Sequence, residues 1–114
     1  MPPESITRLR HMRDAAARAI EFSQGRTRAD LDVDDILALA LARLIEIIGE
    51  AAGGVEDPVR SASPGIPWRQ IIGARNRLIH GYFDVDLDVL WAIVSTDLPA
   101  LIPELDALLE HSSR

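Results

Sequence analysis

The stretch "DDILALALARLIEIIGEAA", residues 34–52, constrains this chain more than any other, because as a helix it is apolar on nearly every face. Only Arg43, Glu46 and Glu50 interrupt it deeply. A helix that is greasy all round must be surrounded by other elements. Four or five short helices struggle to enclose one within a single protomer of 114 residues, so a partner is expected to cover part of it, most simply a second copy of the chain. Arg43, Glu46 and Glu50 stand at i, i+3 and i+7 and form one polar stripe. That stripe reads either as an intrahelical ion pair on the wet side or as a polar wall facing a site.

The length fits one domain, 1–114, large enough to bury a core without disulfide staples. Hydrophobic residues make up 47% but aromatics only 4%, and the apolar content is mostly Leu, Ile and Ala, which favours an all-α fold. There are no cysteines, which removes thiolate metal sites and nucleophiles and fits a cytoplasmic protein. The N-terminus "MPPESITRLRHMRD" places charges where a signal peptide needs its apolar stretch, and no apolar run approaches the roughly 18 residues of a membrane span. A formal net charge of -6 argues against a surface that grips nucleic acid everywhere, so any polyanion site must be local. All twelve basic residues are Arg, a usage that coding bias accounts for, although the side chain is also suited to bidentate phosphate contacts.

Along the chain, the spacing of Ile6, Leu9, Met12, Ala16 and Ile20 predicts a first helix from about Ser5, as cap, to Phe22. Gly25 ends it, and Thr27, Asp30 and Asp32 are candidate caps in the following loop. Gly53-Gly54 closes the greasy helix, and a connection rich in proline has room for one short helix near 56–62. A fourth helix is expected from Pro67 or Trp68 to about His80, closed by Gly81. Asp86 is the expected cap of a last stretch, which should kink or restart around Asp97, with Asp97 capping the second part, because Pro99 and Pro103 lie inside it. The result is a compact bundle of four or five helices.

The fourth helix ends in "ARNRLIHGYF", two arginines, an asparagine, a histidine and a tyrosine within ten residues. At 100° per residue Ile71, Arg75, Leu78 and Tyr82 share a stripe, so Arg75 interrupts an apolar face, while Asn76 and Arg77 stand four and three residues before His80. Two readings stay open on these residues alone. The cations and His80 can simply complement the negative end of a helix, with Tyr82 a core aromatic. Alternatively a fixed cation, a proton carrier and a hydroxyl form a phosphate site.

Arg75, four residues, His80, one residue, Tyr82 resembles the motif of HEPN-domain proteins of the HepT-like toxin family. The flanking "RLIEIIGEAA", "PGIPWRQIIGARNRLIHGYFDVDLDVLW" and "TDLPAL" are similar to that family too, over roughly residues 30–105. The resemblance implies an all-helical HEPN homodimer with the motif helices lining a cleft at the interface, and metal-independent ribonuclease activity without a cofactor. It also implies an MNT-type nucleotidyltransferase antitoxin as partner, which neutralises such toxins by attaching AMP to the motif tyrosine, here Tyr82. On that reading Arg75 and His80 are the catalytic residues and Asn76, Arg77 and Tyr82 support RNA, such as tRNA or mRNA. A second class stays open: a non-catalytic helical module that binds a nucleotide or docks a nucleotidyltransferase. The run Asp84, Asp86, Asp88 invites a metal, but caps and a positive helix end explain most of it, and no metal site is expected. His11 and His111 are expected at the surface, and Trp68 and Trp91 as core or interface anchors.

Overall fold

A computed structural model of the chain describes residues 1–81 and 84–112. Helix α1 (Pro3–Ser23) lies along α3 (Asp35–Gly53) and α8 (Leu98–Ser112), and these three long rods hold most of the core. Leu9, Met12, Ala16 and Ala19 of α1, Leu41, Ile45 and Ala52 of α3 and Leu105 of α8 are all essentially withdrawn from solvent. Burying one such Leu or Ile side chain contributes about 1.5–3 kcal/mol before conformational entropy is charged against it.

Helix α1 begins at Pro3, where a missing backbone N–H costs nothing. Ser5, expected as its cap, instead sits inside the first turn, wholly buried. Its hydroxyl accepts a hydrogen bond from the backbone N–H of Glu56 at 3.2 Å. The donor that needed a partner lay beyond the end of α3, and the buried oxygen supplies it.

Short α2 (Asp30–Val33) leads into α3. Asp34 caps α3 by accepting from the Leu37 N–H at 3.0 Å and pairs with Arg26 at 2.7 Å. The Leu37 hydrogen bond first, and the guanidinium second, hold the Asp34 carboxyl below the usual carboxylate range. Among the large apolar side chains left exposed, Val33 at 85%, Ile36 at 82% and Leu39 at 61% cluster at the α2–α3 junction. The single chain therefore leaves one end of its greasiest helix uncovered.

After α4 (Asp57–Ser61), the expected single helix from Pro67 to His80 is two short ones, α5 (Trp68–Ile72) and α6 (Ala74–Leu78), separated at Gly73. The helix stops at Leu78, not His80: Ile79 is extended (φ -113, ψ 121) and pairs with Val85, and His80 pairs with Asp84, in a two-stranded antiparallel ribbon of β1 (Ile79–His80) and β2 (Asp84–Val85). The Asp86 N–H donates to the Leu78 carbonyl at 2.7 Å, so ribbon pairing takes over where helical bonding ends. Gly81, with φ +77, provides the left-handed conformation in the turn of this ribbon and not at a helix end.

Asp86 caps α7 (Leu87–Ala92) as expected, accepting from the N–H groups of Asp88 and Val89, both at 3.1 Å. Asp97 does not cap a separate helix. It belongs to a π-helical turn (Ile93–Asp97) that carries α7 directly into α8, the widened turn falling just ahead of Pro99.

Candidate functional site

Helix α6 is held by Ala74 and Leu78, four residues apart and both buried, so the intervening Arg75, Asn76 and Arg77 point away from the core and are exposed. Arg75 thus lies beside the apolar face and does not interrupt it, because the break at Gly73 resets the helical register that the sequence implied. Its Nε donates to Glu46 Oε2 of α3 at 3.1 Å. The carboxylate is the recessed partner: the Glu46 side chain is 20% exposed and the Arg75 side chain 58%.

That reach depends on how close α5 lies to α3. At Gly49, one turn after Glu46, a Cβ would stand 3.1 Å from the Ile71 carbonyl oxygen and 3.6 Å from that of Ile72. Gly49 therefore lets the backbones approach, and the segment that follows delivers Arg75 to Glu46. The polar stripe of α3 divides accordingly: Arg43 pairs with Glu50 at 3.4 Å along the helix, while Glu46 turns to the motif arginine.

His80, on β1, is exposed, and its Nε2 stands 3.9 Å from Asp86 Oδ2. One carboxylate thus serves two elements, Oδ1 capping α7 and Oδ2 facing the imidazole. Since His80 is on a strand, its relation to Asn76 and Arg77 is not the i+4 and i+3 adjacency of one helix. Arg77 faces the other side of α6, where it borders a cavity of about 380 Å³ floored by Ile45, Ile48, Ile71 and Leu101. Tyr82 lies outside the described residues.

The aspartates around the ribbon are engaged separately. Asp88 takes Arg28 at 2.7 Å, and Asp84 stands opposite His80. Among the described residues no group of three or more His, Asp or Glu side chains gathers as a metal would require. His11 and His111 are exposed, and Trp68 is half-buried with its Nε1 donating to the Ser63 carbonyl at 3.1 Å. Trp91 is half-buried against the core.

Residues 12–108, which include the whole α3–α6–ribbon arrangement, match the family described as Ribonuclease HepT-like. The chain belongs to that family. A Thermococcus cleftensis protein named "Probable ribonuclease HepT" is 38% identical over 96 residues, covering 81% of this chain and 87% of that protein. A protein of Methanocaldococcus jannaschii, named as a candidate RNase, is 34% identical over 93 residues, covering 82% of this chain and 85% of its own. Another candidate RNase, from Caldanaerobacter subterraneus subsp. tengcongensis, is 31% identical over 102 residues, 90% of this chain and 91% of that one. No solved structure shows a significant match.

Within this HepT-like chain, the sequence points to Arg75, Asn76, Arg77 and His80 but not to the carboxylates that face two of them, Glu46 at Arg75 and Asp86 at His80. Glu46 belongs to a polar stripe in the sequence, and spacing along the chain does not carry its pairing with a residue 29 positions away. Asp86 is legible in the sequence as a cap, and its second oxygen's place opposite His80 is not. Among the described residues, no helix is long and apolar enough to cross a membrane.

Proposed function

We propose that this HepT-like protein is the toxin of a toxin-antitoxin pair, a metal-independent endoribonuclease acting on cytoplasmic RNA. The observation that carries the reading is an exposed guanidinium braced on Glu46 and, five residues on, an exposed imidazole opposite Asp86, in a chain whose relatives are named as ribonucleases. The ribose 2′-oxygen attacks the adjacent phosphorus as its proton passes to a base. The new P–O2′ bond forms, the P–O5′ bond breaks, and the departing 5′-oxygen takes a proton, leaving a 2′,3′-cyclic phosphate. His80 moves protons, and Arg75 holds the charge that grows on the non-bridging oxygens. Asn76 and Arg77 meet flanking ribose and phosphate.

A single imidazole cannot easily be base and acid in one turnover, so the reading includes a homodimer in which His80 of a second copy is the other proton carrier. Val33, Ile36 and Leu39 supply an uncovered apolar patch for such an interface. An MNT-type nucleotidyltransferase is the antitoxin and adenylylates Tyr82, placing bulk and negative charge where RNA phosphate would lie. The net charge of -6 favours a second reading, a helical module that docks the nucleotidyltransferase without cutting RNA.

The test is incubation of unmodified protein with total tRNA in EDTA, after intact-mass analysis has excluded AMP on Tyr82. Cleavage leaving cyclic phosphate ends, reduced at least about 100-fold in His80→Ala, is expected. Clean protein that leaves RNA intact while purified antitoxin still modifies Tyr82 would overturn the nuclease in favour of the docking module.

A further inference from the structure

We propose that Glu46 is the positioning residue of the site: it fixes the direction of the Arg75 guanidinium so that the terminal nitrogens face the phosphate. The inference rests on the phosphate role proposed for Arg75. The contact is made through Nε, at 3.1 Å from Glu46 Oε2, and among the described residues the Arg75 guanidinium forms no other ion pair or hydrogen bond. A guanidinium held at Nε still has its two Nη groups available, the pair that binds two phosphate oxygens side by side. The partner is well suited to the task. Glu46 lies between Ile45, which is buried, and Ile47, which packs on the core, so α3 is not free to rotate under it. Its carboxylate is recessed while the arginine is more than half exposed, and Gly49 holds α3 and α5 close enough for the reach.

An arginine on the surface samples many rotamers, and a cation that must meet a developing charge works only when its direction is set beforehand. Holding Nε removes that freedom without occupying the phosphate-binding edge. A misplaced catalytic group lowers turnover far more than it lowers binding of a long RNA, which is held by several phosphate contacts.

The experiment compares wild type, Glu46→Ala and Glu46→Gln in single-substrate RNA cleavage, with thermal melts alongside. Expected is a kcat lower by about 10-fold to 100-fold in Glu46→Ala with KM within about 2-fold. Glu46→Gln, whose amide oxygen still accepts from Nε, recovers most of the rate. Unchanged or raised kcat in Glu46→Ala, a change confined to KM, or no recovery in Glu46→Gln would overturn the proposal. A parallel measurement needs no RNA: the Arg75 Nε–Hε resonance, assigned by its loss in Arg75→Lys, exchanges slowly with water in the wild type and rapidly in Glu46→Ala. Equal exchange in both overturns the proposal, whereas slow wild-type exchange in protein that cuts no RNA overturns only the nuclease.

Discussion

Substituting Gly49 and Gly53 by alanine, two changes of the same kind in the same helix, should move stability in opposite directions. An added Cβ at Gly49 would meet the Ile71 carbonyl oxygen at 3.1 Å, about 0.3 Å inside ordinary carbon–oxygen contact. The obstructing atom is backbone, so α5 must shift as a unit. Overpacking of this kind costs about 1–3 kcal/mol, and replacing a mid-helix glycine by alanine returns about 1 kcal/mol. The net expectation is a loss of about 0–2 kcal/mol, or a melting temperature lower by up to about 10 °C. At Gly53 nothing lies within 4 Å of the new Cβ, and its φ is negative. There the alanine should stabilise by about 0.4–1 kcal/mol through the unfolded chain. Urea titrations of the three proteins, with matched m-values, read both numbers directly. The α5 shift also lengthens the Glu46–Arg75 contact, so Gly49→Ala should lose RNA cleavage out of proportion to its stability. A Gly49→Ala protein more stable than Gly53→Ala would refute the argument, because the close approach would then have been slack.

Ser5→Ala removes the buried hydroxyl that accepts from the Glu56 N–H and should cost about 0.5–1.5 kcal/mol, with faster hydrogen exchange at Glu56; an effect confined to the amides of α1 would restore Ser5 as a helix cap. Asp34 has a carboxyl depressed in the folded state relative to the unfolded chain, so its stabilisation is fully present above about pH 3.9 and disappears as pH falls through the lower folded value. The melting-temperature gap between wild type and Asp34→Asn should therefore hold from pH 7 to about pH 5 and close at lower pH. A gap that persists unchanged in strong acid would mean that the charge is irrelevant there.

Local signals in the sequence carried much of this architecture. The all-α character, the greasy α3 ending at its glycine pair, the short α4 and the Asp86 cap are consequences of periodicity, composition and capping chemistry acting within a few residues. Where the structure departs from these local signals, a partner distant in sequence intervenes. Helical spacing runs on past Leu78 in the sequence, but Asp84 and Val85 offer Ile79 and His80 a ribbon, so the helix stops early. Ser5 has the chemistry of a cap, yet a donor 51 residues away claims its oxygen.

The site divides in the same manner. Its chemical inventory, with Arg75, Asn76, Arg77 and His80 in one short run, is a property of the sequence, since side-chain type and proximity along the chain need no fold to be known. Which groups face one another is not. Only packing α5 and α6 on α3 sets Glu46 against Arg75, only the ribbon turns His80 towards Asp86, and only the route of α8 opens a cavity beside Arg77. The physical reason is range: propensity and capping act across about four residues, whereas the direction of a charged side chain is decided by whichever atom the tertiary fold places within about 3 Å of it.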